Sequence, residues 1–148
     1  MPRIRRILHP SDFSAASRRA FAYAVAMARG ARAELLVVHV LTPPVPIVSD
    51  AYVSPKVYED LERSSRAWGQ KQIAALVARA KRAGARVRGL LLEGVAADQI
   101  VRAARSRRAD LIVMGTHGRG GFARLLLGSV AERVIATARC PVLTVRGR

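Results

Sequence analysis

Between residues 115 and 129 the chain reads Gly115-Thr116-His117-Gly118-Arg119-Gly120-Gly121 and, a few positions on, Gly128-Ser129. The first glycine directly follows an apolar run, Asp110 to Met114, and the last pair stands at the front of an apolar-periodic segment. Glycine lets the backbone approach another group closely and adopt positive φ. A helix N-terminus offers free amides and the positive end of its dipole, and a serine hydroxyl adds a donor. These are the ingredients of a phosphate site. Glycine clusters also serve tight strand-to-helix turns that bind nothing, and at the level of the residues both readings stand.

Other chemistries fit less well. No Gly-x-x-x-x-Gly-Lys-Ser/Thr run is present, so a Walker-type site is unsupported. Gly118 to Ala123 satisfies a loose Gly-x-Gly-x-x-Ala pattern, but it follows the fourth strand and has no acidic residue about 20 positions later to hold a ribose. Ser11, Ser14 and Ser129 lie in no Gly-x-Ser-x-Gly elbow, so nucleophilic catalysis is not indicated and no catalytic residue is assigned. His9, His39 and His117 fall at strand ends and raise the idea of a metal site. No Cys or Glu completes a spaced ligand set and His117 sits in the glycine loop, so structural or nucleotide-adjacent roles are expected and no metal is assigned. Asp12 is read equally as a cap of the first helix and as a ligand contact. Cys140 is expected to be packed rather than reactive, because nothing nearby would lower its pKa.

The elements that must position this loop alternate in type. Ile4 to His9 reads as a short buried strand running into the turn cluster Pro10-Ser11-Asp12-Phe13-Ser14, which ends on a helix N-cap. Ala16, Ala20, Ala24, Met27 and Ala28 give a first helix, with Gly30 at its expected C-terminal cap. Glu34 to Leu41 is a second strand, ended by Thr42-Pro43-Pro44-Val45-Pro46. A loop lasts to about Ser54. From Pro55 a long helix carries Leu61, Trp68, Ile73, Leu76, Val77 and Ala80 inward, and Gly84 closes it; Trp68 reads as core. Strand Ala85 to Glu93, helix Val95 to Arg107, strand Asp110 to Met114, helix Leu126 to Ala138 and strand Pro141 to Val145 follow. Such βαβ units predict a doubly wound α/β fold, a mostly parallel sheet with helices on both faces. Ligands then belong beyond the carboxyl ends of the strands, at His9 to Asp12, His39 to Leu41, Glu93-Gly94 and Met114 to Gly121. Residues 1–148 read as one domain.

Composition is consistent with that frame. The 148 residues are 51% hydrophobic with only 5% aromatics, so the core is built from Ala, Val, Leu and Ile. No apolar run approaches the roughly 20 residues of a membrane helix. The start, Met1-Pro2-Arg3-Ile4-Arg5-Arg6, has no secretory h-region, and a single cysteine suits a reducing compartment, so a cytoplasmic location is expected. The formal charge of +16 comes mostly from arginine and would attract polyanions, nucleic acid among them. The favoured reading is plainer. Arg18, Arg19, Arg63, Arg66, Arg79, Arg82, Arg102 and Arg105 lie on outward helix faces, and no aromatics interleave with them as stacking platforms.

With these motifs in place the sequence closely resembles the universal stress protein family, and its ATP-binding branch. The most specific feature is the spacing Gly-x2-Gly-x9-Gly-Ser/Thr, met by Gly115, Gly118, Gly128 and Ser129 without insertion or deletion. Pro10-Ser11-Asp12-Phe13-Ser14, Ala109-Asp110-Leu111-Ile112-Val113-Met114 and Cys140-Pro141-Val142-Leu143 add to it. The resemblance implies a five-stranded sheet in the order 3-2-1-4-5 and a homodimer through the last strand. It implies ATP, alone or with Mg2+, lying across the ends of strands one, two and four, with AMP, ADP or a cyclic nucleotide as alternatives. Pro10 and Asp12 would lie at the end of strand one, Asp12 by base and ribose. Val40 would meet adenine through its backbone. Met114, Gly115, Gly118, Arg119, Gly128, Ser129 and Val130 would line the phosphate loop.

The leading functional expectation is a nucleotide-dependent regulatory dimer of the stress response with little or no hydrolysis, since the sequence offers neither an acidic cluster for magnesium nor an evident general base. A slow nucleotide hydrolase or transferase using the same pocket is the alternative, separated by steady-state turnover. A nucleic-acid-associated protein driven by charge would reveal itself in salt-sensitive binding to duplex of any sequence. Neither a membrane nor nucleic acid is the expected partner.

Overall fold

The computed structural model describes residues 2–43, 54–116 and 127–147. Strands and helices alternate through them as β1 (Arg6–Pro10), α1 (Ala15–Ala31), β2 (Glu34–Leu41), α2 (Pro55–Arg82), β3 (Arg86–Glu93), α3 (Ala96–Ser106), β4 (Leu111–Gly115), α4 (Ser129–Thr137) and β5 (Val142–Val145). All pairings are parallel and the sheet order is β3-β2-β1-β4-β5, the order that the family resemblance implies. Side chains alternate across the strands and make two cores. Ile7, Leu35, Val37, Val87 and Val113 pack on α1 and α2, while Leu8, Val38, Ile112 and Met114 pack on α3 and α4.

Local chemistry sets the helix ends. Ser14 is extended and its hydroxyl accepts from Ser17 N at 3.2 Å, which starts α1. Asp12, read as one possible cap, does not hold that position; its Oδ1 accepts from Ser14 N at 2.9 Å and so shapes the turn before the helix. At the other end Gly30 lies inside α1. The left-handed C-cap is Arg32, with φ of 54°, donating its N–H to Ala28 O and Arg29 O. The bond from Ala33 N to Ala28 O, 2.8 Å, buries Ala33 and launches β2 at once, which a stop at Gly30 would forgo. In α2, Ser54 caps the start, Pro55 occupies the first turn, and Gly84 follows the end with φ of 84°.

Helix α2 departs from the periodic expectation. Ile73, Leu76 and Ala80 are buried, but Leu61 is 53% exposed and Trp68 40%. The reason is length. Twenty-eight residues span about 42 Å at the helical rise, whereas the eight-residue strands β2 and β3 span only about 26 Å. The helix ends level with the start of β3, so its first turns overhang the carboxyl edge, and burial begins at Gly69. A periodic stripe reports one face of a helix; it does not report how far the sheet beneath extends.

Ion pairs close the amino edge. Glu34 accepts from Arg6 at 3.0 Å and from Arg88 at 2.5 Å, while Asp110 accepts the amides of Arg5 and Arg6 at 2.7 and 2.9 Å. Burial pushes the Glu34 carboxyl up, and the hydrogen bonds from the two arginines outweigh it and hold it below its ordinary value.

Helix α2 reaches the sheet where β3 has a glycine. A Cβ on Gly89 would overlap Ile73 Cγ2 and come within 3.1 Å of Val77 Cγ2. Both neighbours are β-branched and stiff, so neither yields cheaply. Gly89→Val should therefore lower stability by about 1 to 3 kcal/mol, the usual scale for overpacking. Urea unfolding checks this; an unchanged midpoint would show that α2 is not seated on β3 at this point.

Candidate functional site

The strand order reverses at β1, whose neighbours β2 and β4 feed crossovers on opposite faces, so a crevice opens beyond its carboxyl end. Pro10 closes β1 in register with Val38, and Ser11 and Asp12 begin the turn that follows. Ser11 is buried and tied down from several sides. Its N–H donates to Val38 O at 2.8 Å, and its hydroxyl accepts from Phe13 N at 3.2 Å and bonds the Ser17 hydroxyl at 2.8 Å. The His39 ring nitrogen Nδ1, 2.7 Å from Ser11 O, donates to it and locks β2 to the same turn.

On the other side β4 ends at Met114, which is buried, and Gly115. A Cβ on Gly115 would stand 2.9 Å from Ala16 C and 3.0 Å from Ser17 N, closer than real side chains come to a backbone. This glycine is therefore required by the approach of β4 to the first turn of α1, apart from anything a ligand needs. Thr116 is buried, donates its N–H to Val145 O at 3.1 Å and accepts Gly128 N–H at 2.5 Å. The chain thus leaves the sheet at Thr116 and returns to the same residue at Gly128.

Helix α4 begins at Ser129, not at Leu126, because Gly128 is still extended with ψ of 151° and its amide is held by the strand end. Gly128 is the N-cap and has no side chain with which to cap, so the first-turn amides at Ser129 and Val130 are presented together with the dipole. Val130 is 38% exposed there. Of the residues singled out from sequence, Pro10, Asp12, Val40, Met114, Gly115, Gly128, Ser129 and Val130 all lie along this one edge, Val40 half-buried on the α3 side with β2 extending one residue further to Leu41. Gly118 and Arg119, with His117, lie outside the described residues.

Sequence reasoning missed an aromatic cluster beside the crevice. Phe13, with φ of 63°, sets its ring 4.6 Å from His39 and 5.3 Å from Trp68, the latter edge-on. Trp68 thus covers the turn from the overhanging part of α2 and is not core. No periodicity in the sequence signals this, because the three residues belong to a turn, a strand end and a helix overhang.

The three histidines part company. His9 is fully buried beside Phe21, and its Nδ1–H donates to Val113 O at 2.8 Å. Nε2 has no hydrogen-bond partner among the described residues. Burial dominates its titration and pulls the pKa from 6.5 down to about 4, against the opposing help of Val113 O and Asp12. His39 turns to Ser11 as described, and among the described residues no three His, Cys, Asp or Glu side chains converge as metal ligands. Cys140 is half-buried and burial raises its thiol pKa, as expected of a packed cysteine.

A doubly wound α/β domain with a glycine-capped helix N-terminus at its topological switch point defines a class of phosphate- and nucleotide-type folds. Residues 3–146 match the universal stress protein family. The chain is 38% identical over 142 residues to a universal stress protein of Thermus aquaticus, covering 96% of this chain and 98% of the relative. It is 37% identical over 142 residues to one from Methanocaldococcus jannaschii, covering 96% and 82%. Among solved structures, the universal stress protein UspA of Lactobacillus plantarum superposes with a TM-score of 0.84 at 26% identity, covering 99% and 100% of the two chains. A universal stress protein in complex with cAMP superposes with a TM-score of 0.75 at 27% identity over 99% and 100%. One from Archaeoglobus fulgidus in complex with dAMP does so with 0.66 at 25% over 98% and 99%. The chain belongs to the universal stress protein family. No helix among the described residues is long and apolar enough to cross a membrane.

The buried His9 makes stability depend on pH with a definite sign. Its folded pKa lies below the unfolded one, so above pH 6.5 the ring is neutral in both states and costs nothing. As pH falls from 6.5 towards 4, the unfolded chain takes up a proton that the folded chain refuses, and stability falls. The full loss from this residue is about 3 kcal/mol. Proton NMR should show the His9 ring still neutral at pH 5.5, and a ring already charged there would refute the assignment.

Proposed function

We propose that this universal stress protein binds an adenine nucleotide, ATP, across the carboxyl ends of β1, β2 and β4, and acts as a nucleotide-dependent regulatory homodimer of the stress response in the cytoplasm, with little or no hydrolysis. The observation that carries the reading is the glycine spacing Gly115, Gly118, Gly128, Ser129 ending on an α4 N-terminus whose cap has no side chain. Relatives of the same fold held in complex with cAMP and dAMP support the adenine nucleotide.

Each residue then has a physical part. The amides of Ser129 and Val130 and the α4 dipole receive phosphate oxygens, the Ser129 hydroxyl adds a donor, and Arg119 supplies charge from the loop. Asp12, already oriented by Ser14 N, presents its second oxygen to ribose hydroxyls. Val40 offers backbone groups to adenine against the apolar wall it shares with Met114. ATP, with or without Mg2+, brings the triphosphate charge that the loop neutralises; AMP or ADP would occupy the same base and ribose positions.

Calorimetry tests this directly. ATP should bind the parent protein, Gly128→Val should abolish binding with the fold retained, and Ser129→Ala should weaken ATP by about 1 to 2 kcal/mol and AMP by less. Unchanged ATP affinity in Gly128→Val would overturn the site.

The dimer reading rests on β5, an edge strand of the sheet. Pro141 O and Val145 O accept from Ile112 N and Thr116 N, so alternate residues 141, 143 and 145 address β4. The backbone groups of Val142 and Thr144 therefore face outward. Half-buried Val142, Leu143 and Thr144 give this edge a pairing-competent surface that a second β5 would cover about a twofold axis. Thr144→Pro removes an outward donor while sparing the bonds to β4, and should convert a dimer to a folded monomer in light scattering at physiological salt. A parent protein that is monomeric at micromolar concentration would refute the dimer.

A further inference from the structure

An open groove of about 570 Å³ lies between α3 and α4, on the face of the sheet that holds Leu8 and Met114. It runs from the Asp98–Arg133 bridge, which ties the two helices together at 2.8 Å, to the segments that lead into β4 and β5. Its lower end therefore lies at the amino edge of the sheet, away from the crevice described above. The floor is apolar, made by Val101, Ala104 and Ala109 with the half-buried Cys140. The rim carries Arg102, Arg105, Arg108, Arg133 and Arg139, all exposed, and among the described lining residues they face one carboxylate, that of Asp98. Only Arg133 among these five forms an ion pair among the described residues. Helix C-termini favour one or two cations in their last turns, and Arg105 serves α3 in that way; five arginines around one groove exceed that need.

We propose that this groove is a docking site for a short acidic and aliphatic segment of a partner protein. Arginine clusters read carboxylates through paired, charge-assisted hydrogen bonds, and the apolar floor receives aliphatic side chains. Among the described residues the lining has no aromatic ring on which a nucleobase could stack, which selects against single-stranded nucleic acid. The five arginines gathered on this rim select against the equally basic helix surfaces of a second copy at this groove and in favour of an acidic partner. Cys140 takes no covalent part, since burial keeps its thiol protonated.

The probe is a fluorescein-labelled synthetic peptide of about ten residues built from glutamate and leucine, read by anisotropy at physiological salt, where a Debye length of roughly 8 Å suppresses long-range attraction. The peptide should bind, and its glutamine counterpart should bind at least about tenfold more weakly. The double variant Arg105→Ser, Arg139→Ser should raise Kd at least about tenfold, and Val101→Ser about threefold, whereas Arg82→Ser, Arg86→Ser, which removes equal charge from another surface, should change it less than about twofold. Thermal melts confirm that all variants fold. Absence of binding, equal weakening by both arginine pairs, or indifference to Val101→Ser would each overturn the proposal. So would displacement of the peptide by an oligothymidylate of equal charge at comparable concentration, which would assign the groove to nucleic acid.

Discussion

The contact between the first turn of α1 and the end of β4 is the constraint on which the carboxyl edge depends. Gly115 has no side chain because Ala16 C and Ser17 N occupy the place of one, and Gly147 also meets Ala16, where a Cβ would come within 3.0 Å of Ala16 Cβ. With α1 pressed this low, the turn from Pro10 to Ser14 has little freedom. Ser11 bonds Ser17, Ser14 caps the helix, Asp12 bonds Ser14, and His39 holds the Ser11 carbonyl. The edge is thereby preorganised from both sides of the sheet reversal, which lowers the ordering cost that a ligand meets on binding.

The same contact explains how the glycine segment is anchored. Thr116 is fixed by β5 on one side and by Gly128 on the other, so the residues between them begin and end at one point. The first turn of α4 inherits that placement. Ala131 and Val134 bury the helix against the α3 side of the sheet and leave its N-terminal amides at the strand ends. A loop of varied sequence could be carried on this base without altering the sheet, which is how a rigid scaffold supports binding loops.

Much of this was legible in the residues. Alternation of short apolar strands with alanine-rich helices gave the fold class, and every strand lay within two residues of its expected bounds. What escaped was whatever depends on three-dimensional extent or on competing uses of one residue. Leu61 and Trp68 share a stripe with Ile73, yet the sheet stops short of them. Gly30 looked like a cap, but the helix runs on to Ala31, and Arg32, two residues after Gly30, takes the left-handed conformation. Gly115 fits a phosphate pattern and also fills a packing requirement, and spacing alone cannot separate two reasons for the same glycine. His9 and His39 both sit on the α1 face, and only neighbouring carbonyls distinguish the buried neutral ring from the turn clamp.

Charge completes the physical picture. There are 26 Lys and Arg against 10 Asp and Glu, and the acids are largely committed. Glu34 takes Arg6 and Arg88, Glu93 takes Arg66, Asp98 takes Arg133, and Asp110 and Asp12 take backbone amides. All five of these acids sit at an edge of the sheet or between helices, where they hold elements together and do not merely dilute the positive field. Most arginines among the described residues therefore form no ion pair, on helices and on the turns between elements alike, and the field that results raises the encounter rate of any anion with the protein without selecting where it lands. Screening confines that field to short range in physiological salt, so selection falls to places where donors converge on a shaped surface. In the proposed reading the α4 N-terminus is such a place, because its Gly128 cap leaves the first-turn amides free of a side-chain partner.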